Sequence, residues 1–187
     1  MNQQMVHNPR VAIIGLGGMG RMHFECYNAM NPNPLLALYD ASEARRRGDW
    51  SGIELNLDAD NKSNLVDLSA YRVYDSYETL LQDDDIDIVD ICTPTPQHAP
   101  LAIAALRAGK HVFCEKPMAF TVNEAAQMEN AARENNRFLT IGHCLRFDAH
   151  YETVKKFVDE QTYGAPLYAR LFRIADTPPS WFRDQNK

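Results

Sequence analysis

The chain has 187 residues, 45 % of them hydrophobic and 24 % charged, which is the balance of a globular protein with a core to bury. Nineteen basic residues against twenty-five acidic ones leave a formal charge of -6. That argues against nucleic acid or an anionic membrane as a partner, because both call for basic stripes. Cysteines at positions 26, 92, 114 and 144 form no C-x-x-C pair. Free thiols in a reducing, cytoplasmic setting fit better than a disulfide framework or a metal site.

Taken in order, "VAII" (11–14) is a short β-branched run ending in glycine, the pattern of a buried parallel strand. "MGRMHFECYNAM" is a helix stopped by "NPNP". "LLALYD" is the second strand and ends at Asp40. Residues 41–72 are irregular, with one short helix expected near 62–69. The basic run Arg45-Arg46-Arg47 reads as a solvated helix face. Order returns with "RVYDS" as a strand, then "YETLLQ" as a helix capped by Asp75 or Ser76. "IDIVDICTP" is the fourth strand, and "HAPLAIAALRAG" is a helix closed by Gly109. "KHVFCE" is the fifth strand. Thr121, with Glu124 three residues on, caps the next helix. "RFLTIGHCLRF" is expected as the sixth strand, "AHYETVKKFVDEQ" as a helix and "GAPLYARLFRIA" as one more strand.

Alternating strands and helices imply a doubly wound parallel Rossmann sheet, an α/β fold, followed by the beginning of a second α/β domain. The expected division is 1–141 for the dinucleotide-binding domain and 142–187 for the start of the second. Of the final strand, the unpaired edge would recruit another chain, so a homo-oligomer is expected.

"GLGGMG" (15–20) fits G-x-G-x-x-G between a strand and a helix. Gly15 makes the tight turn, Gly17 lets a pyrophosphate approach the backbone, and Gly20 permits close helix–strand packing. Gly18 and Met19 open the helix whose N–H groups would face the phosphates. Asp40, at the end of the next strand, suits the ribose hydroxyls and repels a 2′-phosphate, which favours NAD over NADP. Thr93, Pro94 and Thr95 follow the fourth strand at the ligand edge. His98 is a candidate contact or base, though its place at a helix start suits packing or capping as well. Glu115 and Lys116 end the fifth strand on that same edge. A lysine there can hold a substrate hydroxyl and stabilise the alkoxide formed as hydride leaves. Pro117 restricts Lys116 to an extended conformation that aims it.

Together "GLGGMG", "DIVDICTPTPQH", "AALRAGKHVFCEKPMA" and "IGHCLRFD" resemble the glucose–fructose oxidoreductase / inositol dehydrogenase / MocA family. The resemblance implies a Rossmann domain followed by an α/β domain, and hydride exchange between NAD and a sugar or polyol. It implies that Lys116 is the catalytic lysine, that Arg146 lies on the strand entering the second domain, and that Trp181 approaches the nicotinamide. The family's catalytic Asp and His follow such a tryptophan, and none of His98, His111, His143 or His150 has the required neighbours. The 187 residues are therefore expected to hold the dinucleotide site without that segment. The alternative is a truncated NAD-binding or interaction module without turnover.

Overall fold

A computed structural model describes residues 8–53, 65–161 and 163–172. The chain divides into two compact units, Met1–Gly142 and His143–Lys187.

Six strands build the first unit's sheet: β1 (Val11–Ile14), β2 (Leu35–Tyr39), β3 (Arg72–Val73), β4 (Ile88–Ile91), β5 (His111–Cys114) and β6 (Leu139–Ile141). All pairings are parallel, in the order β3-β2-β1-β4-β5-β6. The chain winds outward one way from β1 to β3 and the other way from β4 to β6. A crevice therefore opens past the carboxyl ends of β1 and β4, where the direction of winding reverses.

Side chains of β1 alternate between two cores, as the period of a strand requires. Ala12 and Ile14 face one core with Leu80, Val89, Ile91, Leu106 and Met128. Ile13 faces the other with Phe24, Leu38 and Trp50. Helix α1 (Gly18–Asn28) covers the second core through Phe24. The short α2 (Glu43–Arg46) and α3 (Tyr77–Leu81) flank the outer strands, while α4 (His98–Arg107) and α5 (Val122–Glu134) pack together over the first core. Ser76 caps α3 by accepting from the Thr79 N–H. Thr121 and Glu124 form a reciprocal capping box on α5.

Several boundaries differ from the sequence reading. The third strand shrinks to two residues, since only Ala37 and Leu38 of β2 pair with it. Leu65 makes an isolated antiparallel bridge to Asp49, and Val66–Leu68 are not helical; the rest of the expected helix at 62–64 lies outside the described residues. The sixth strand ends at Ile141. Gly142 still donates to the Cys114 carbonyl (2.8 Å), but the chain then turns into a 3₁₀ turn, Cys144–Phe147.

In the second unit that turn leads to α6 (Ala149–Glu160), capped by the Asp148 carboxylate, which accepts from the His150 and Tyr151 N–H groups. Residues 164–172 form no strand. An extended segment needs a paired neighbour to satisfy its backbone, and the described residues of this unit offer none. The remainder of that expected strand, 173–175, is outside the described residues.

Candidate dinucleotide site

The glycine loop leaves β1 at Gly15, whose φ of +91° lies in the left-handed region that favours glycine. A Cβ there would also stand 2.9 Å from Thr93 Cγ2, so the turn after β1 and the turn after β4 touch. At Gly20 a Cβ would fall 1.8 Å from the Gly15 carbonyl oxygen, which is why the first turn of α1 can lie directly on the loop. Around Gly17 there is room: the nearest atom to an added Cβ is Arg45 Nη1, at 3.9 Å. No side chain caps α1 and no acidic residue stands in its first turn. Gly18 and Met19 thus present an uncapped helix N-terminus, which favours an anion. These features fit a dinucleotide pyrophosphate.

Asp40, just past β2, is 6 % exposed. Its Oδ2 accepts from the Leu16 N–H and its Oδ1 from the Ser42 N–H, both at 2.7 Å. The carboxylate thereby anchors the glycine loop, and Oδ1 keeps one lone pair for a ribose hydroxyl. The basic run behaves differently from the solvated face expected of it. Arg45 Nη1 comes to 3.5 Å from Asp40 Oδ2, and Arg46 donates to the Asp40 and Ala41 carbonyls at 2.8 and 3.1 Å. Only Arg47 stays out in solvent, paired with Glu43. The curl of α2 folds these side chains back, a turn that strand–helix alternation does not reveal.

Thr93, Pro94 and Thr95 follow β4, with Pro94 as the cap of a 3₁₀ turn, Thr95–Gln97. Thr93 Oγ1 is buried and finds no hydrogen-bond partner among the described residues. His98 is only 1 % exposed, with Nδ1 2.8 Å from the Pro117 carbonyl and Nε2 2.8 Å from the Thr93 carbonyl. Both ring nitrogens are engaged, so the candidate contact or base is instead a strut joining the turns after β4 and β5. Packing wins at this position because α4 starts directly beneath both turns.

Lys116 is exposed at the end of β5, ahead of a cis peptide to Pro117. Glu115 before it is buried, and its Oε2 accepts from the Lys116 N–H at 3.1 Å. Glu115 Oε1 stands 3.4 Å from His23 Nε2, and His23 Nδ1 is 2.8 Å from Asp90 Oδ2. Tyr27 donates to the same Asp90 oxygen at 2.9 Å. Burial raises the Glu115 carboxyl, but the His23 and Lys116 contacts outweigh it and leave it below its ordinary value. Burial pushes the Cys92 thiol up to about 12, so this Cys beside a His is no nucleophile. Sequence reasoning missed His23 and Asp90. The available signal was an acid in the middle of the apolar run "IVDIC", which must find a buried partner.

Arg146 sits exposed on the 3₁₀ turn of the second unit rather than on a strand, because β6 has already ended. Trp181 lies outside the described residues.

A doubly wound sheet with a glycine cradle, an acidic residue after β2 and touching βα turns at the switch point defines a dinucleotide-binding α/β protein. The chain belongs to the GFO_IDH_MocA oxidoreductase family with an NAD-binding Rossmann fold, whose model matches residues 9–143. It is 38 % identical over 175 residues to inositol 2-dehydrogenase of Salmonella typhimurium, covering 90 % of this chain and 47 % of that one. Myo-inositol 2-dehydrogenase of Thermotoga maritima is 31 % identical over 170 residues, covering 91 % and 46 %. The crystal structure of myo-inositol 2-dehydrogenase from Lactobacillus plantarum superposes with a TM-score of 0.64 at 28 % identity, over 81 % of this chain and 41 % of that one. The chain spans about half the length of the curated relatives it matches. Among the described residues no helix is long and apolar enough to cross a membrane.

Proposed function

We propose that the chain carries the dinucleotide site of an NAD-dependent dehydrogenase acting on a secondary alcohol of a sugar, inositol or related polyol. The observation that carries this reading is the web tying four strand ends together. Asp40 holds Leu16, Gly15 meets Thr93, and His98 joins Thr93 to Pro117 beside Lys116. When bound, the nicotinamide would accept or donate the hydride.

In this reading the N–H groups at Gly17, Gly18 and Met19 receive the pyrophosphate, and Asp40 receives the adenosine ribose. The orphaned Thr93 Oγ1, with Pro94 and Thr95, lines the path toward the nicotinamide. Lys116 donates to the substrate hydroxyl and stabilises the developing alkoxide. Glu115 orders that turn without touching substrate, and His98 joins the turns after β4 and β5 with both ring nitrogens engaged. Arg146 and Trp181 are assigned to the cofactor on the family pattern, Trp181 toward the nicotinamide, within a second domain that begins at residue 142. The protein is placed in the cytoplasm and assembles as a homo-oligomer, which the exposed Tyr151, Val154 and Phe157 of α6 support.

The test is a titration with NADH and separately NADPH, following nicotinamide fluorescence. Saturable binding that prefers NADH, and that weakens at least tenfold in Asp40→Ala, is the expected result. The absence of binding to either nucleotide would overturn the reading. Equal affinity for both would overturn the role given to Asp40.

A further inference from the structure

His23 lies on α1, one turn past the glycine loop, and has no part in the dinucleotide site just described. Its ring nonetheless meets three polar side chains, Asp90, Cys92 and Glu115. Nδ1 points at Asp90, which is fully buried in the middle of β4, and Nε2 points at Glu115 at the end of β5. The remaining neighbours are Cys92 Sγ, 3.2 Å from Nδ1, the Phe113 ring at 5.9 Å between centroids, and Tyr27 bonded to Asp90. The Cys92 thiol also donates toward Asp90 Oδ1, at 3.5 Å.

Two readings compete for such a cluster. His23, Asp90 and Cys92 offer three ligand atoms within 4.8 Å of one another, as a metal site would. Metal–ligand bonds of about 2.0–2.3 Å in tetrahedral geometry, however, hold ligand atoms about 3.3 Å apart or more. The Nδ1–Oδ2 separation of 2.8 Å is that of a direct hydrogen bond. The cluster is closed on itself.

Each ring nitrogen faces a carboxylate, and a carboxylate can only accept. Nδ1 therefore donates to Asp90 at 2.8 Å, and Nε2 lies 3.4 Å from Glu115, in ion-pair range, so the ring sits as a cation between two anions. Burial opposes that charge, but the Asp90, Cys92 and Glu115 hydrogen bonds outweigh it, and the ring stays protonated up to about 12. Glu115 is held from the opposite side too. A Cβ on Gly142 would stand 2.9 Å from Glu115 Oε1, so the bare glycine leaves the space that the carboxylate fills.

We propose that His23 is a positioning residue: its ring spans Asp90 and Glu115 and so fixes the carboxylate that accepts from the Lys116 amide. The helix that carries the glycine loop is thereby linked to the turn that carries Lys116. Its value for catalysis rests on the dehydrogenase reading above, but the linkage itself does not.

The experiment is amide hydrogen exchange and ¹⁵N NMR on the full 187-residue chain, with no nucleotide present. In the wild type, both His23 ring nitrogens should show protonated shifts at pH 8; a neutral tautomer there would overturn the proposal. In His23→Gln the Lys116 amide should exchange at least tenfold faster, while amides of β1 and β4 stay within about threefold. Unchanged Lys116 exchange, or the same acceleration throughout the sheet, would reject a positioning role. Gly142→Ala provides the second arm should His23→Gln not fold. It displaces Glu115 without touching His23, and the same local acceleration at Lys116 is expected; exchange as in the wild type would refute the linkage. Failure of NADH binding with these results intact would sink the dehydrogenase reading alone.

Discussion

Substituting Gly20 by alanine separates packing from binding when set beside the same change at Gly17. A Cβ at position 20 would lie 1.8 Å from the Gly15 carbonyl oxygen. An ordinary carbon–oxygen contact is about 3.3 Å, so loop and helix would have to part by roughly 1.5 Å. Overpacking costs about 1–3 kcal/mol where side chains can give way, and here both sides are backbone, so about 3 kcal/mol applies. Alanine offsets up to about 1 kcal/mol through its helix propensity. The net loss of about 2 kcal/mol should lower the Tm by roughly 4–8 °C. At Gly17 the backbone is extended (φ -78°, ψ -161°) and the surrounding space is open. There the loss of a glycine cap and the reduced entropy of the unfolded chain nearly cancel, leaving stability within about 0.5 kcal/mol of wild type. The new methyl would instead occupy the place where a pyrophosphate nears the backbone, and NADH affinity should fall at least tenfold. Thermal melts and a fluorescence titration of both variants decide the matter. A Gly20→Ala protein melting within about 1 °C of wild type would refute the close-packing argument. A Gly17→Ala protein binding NADH normally would refute the cradle.

Three further outcomes are expected. His98→Ala removes the ring between the Thr93 and Pro117 carbonyls and leaves a buried carbonyl without its donor, at about 1–3 kcal/mol, so the urea midpoint should fall by an amount equivalent to at least about 1 kcal/mol; a smaller loss would mean water replaces the ring. Alkylation of the native protein should modify Cys26 and Cys144, which are exposed, and spare Cys92 and Cys114, whose thiols burial pushes up to about 12. Mass spectrometry showing four adducts before denaturation would contradict that. Stability should also follow pH through the His23 network. Glu115 has a lowered folded value, so its contribution is full above the ordinary 4.5 and is lost as pH falls through that lowered value. His23 is raised, so its contribution is full below 6.5 and declines toward about 12. Urea unfolding from pH 6.5 to 8 should show a decline of roughly 1.4 kcal/mol per pH unit beyond that of His23→Gln. Parallel pH profiles for the two proteins would show that the ring is not charged.

Much of the architecture was legible because its signals are local. A β-branched run, a glycine turn and an unbroken helix occupy consecutive residues at 11–28, and the Thr121–Glu124 capping box lies within one helical turn. "GLGGMG" could be read as a cradle because steric freedom belongs to the glycine itself. Signals that depended on a neighbour were read less well. "RFLTIGHCLRF" is apolar enough for a long strand, yet β5 pairs with only three of its residues. His98 has the composition of a site residue, and its burial beneath two turns gives it to the scaffold instead.

By itself the sequence determined the alternation of the first unit's six strands with its longer helices, the glycine loop, the acid after β2 and the lysine after β5, since each is written in adjacent residues. Only the tertiary structure decided which polar groups meet. The pairing of His23 with Asp90 and Glu115, the return of Arg45 to Asp40, and the His98 strut join residues from separate elements. Their energies come from desolvation and distance, quantities that exist only once the sheet has brought those elements together.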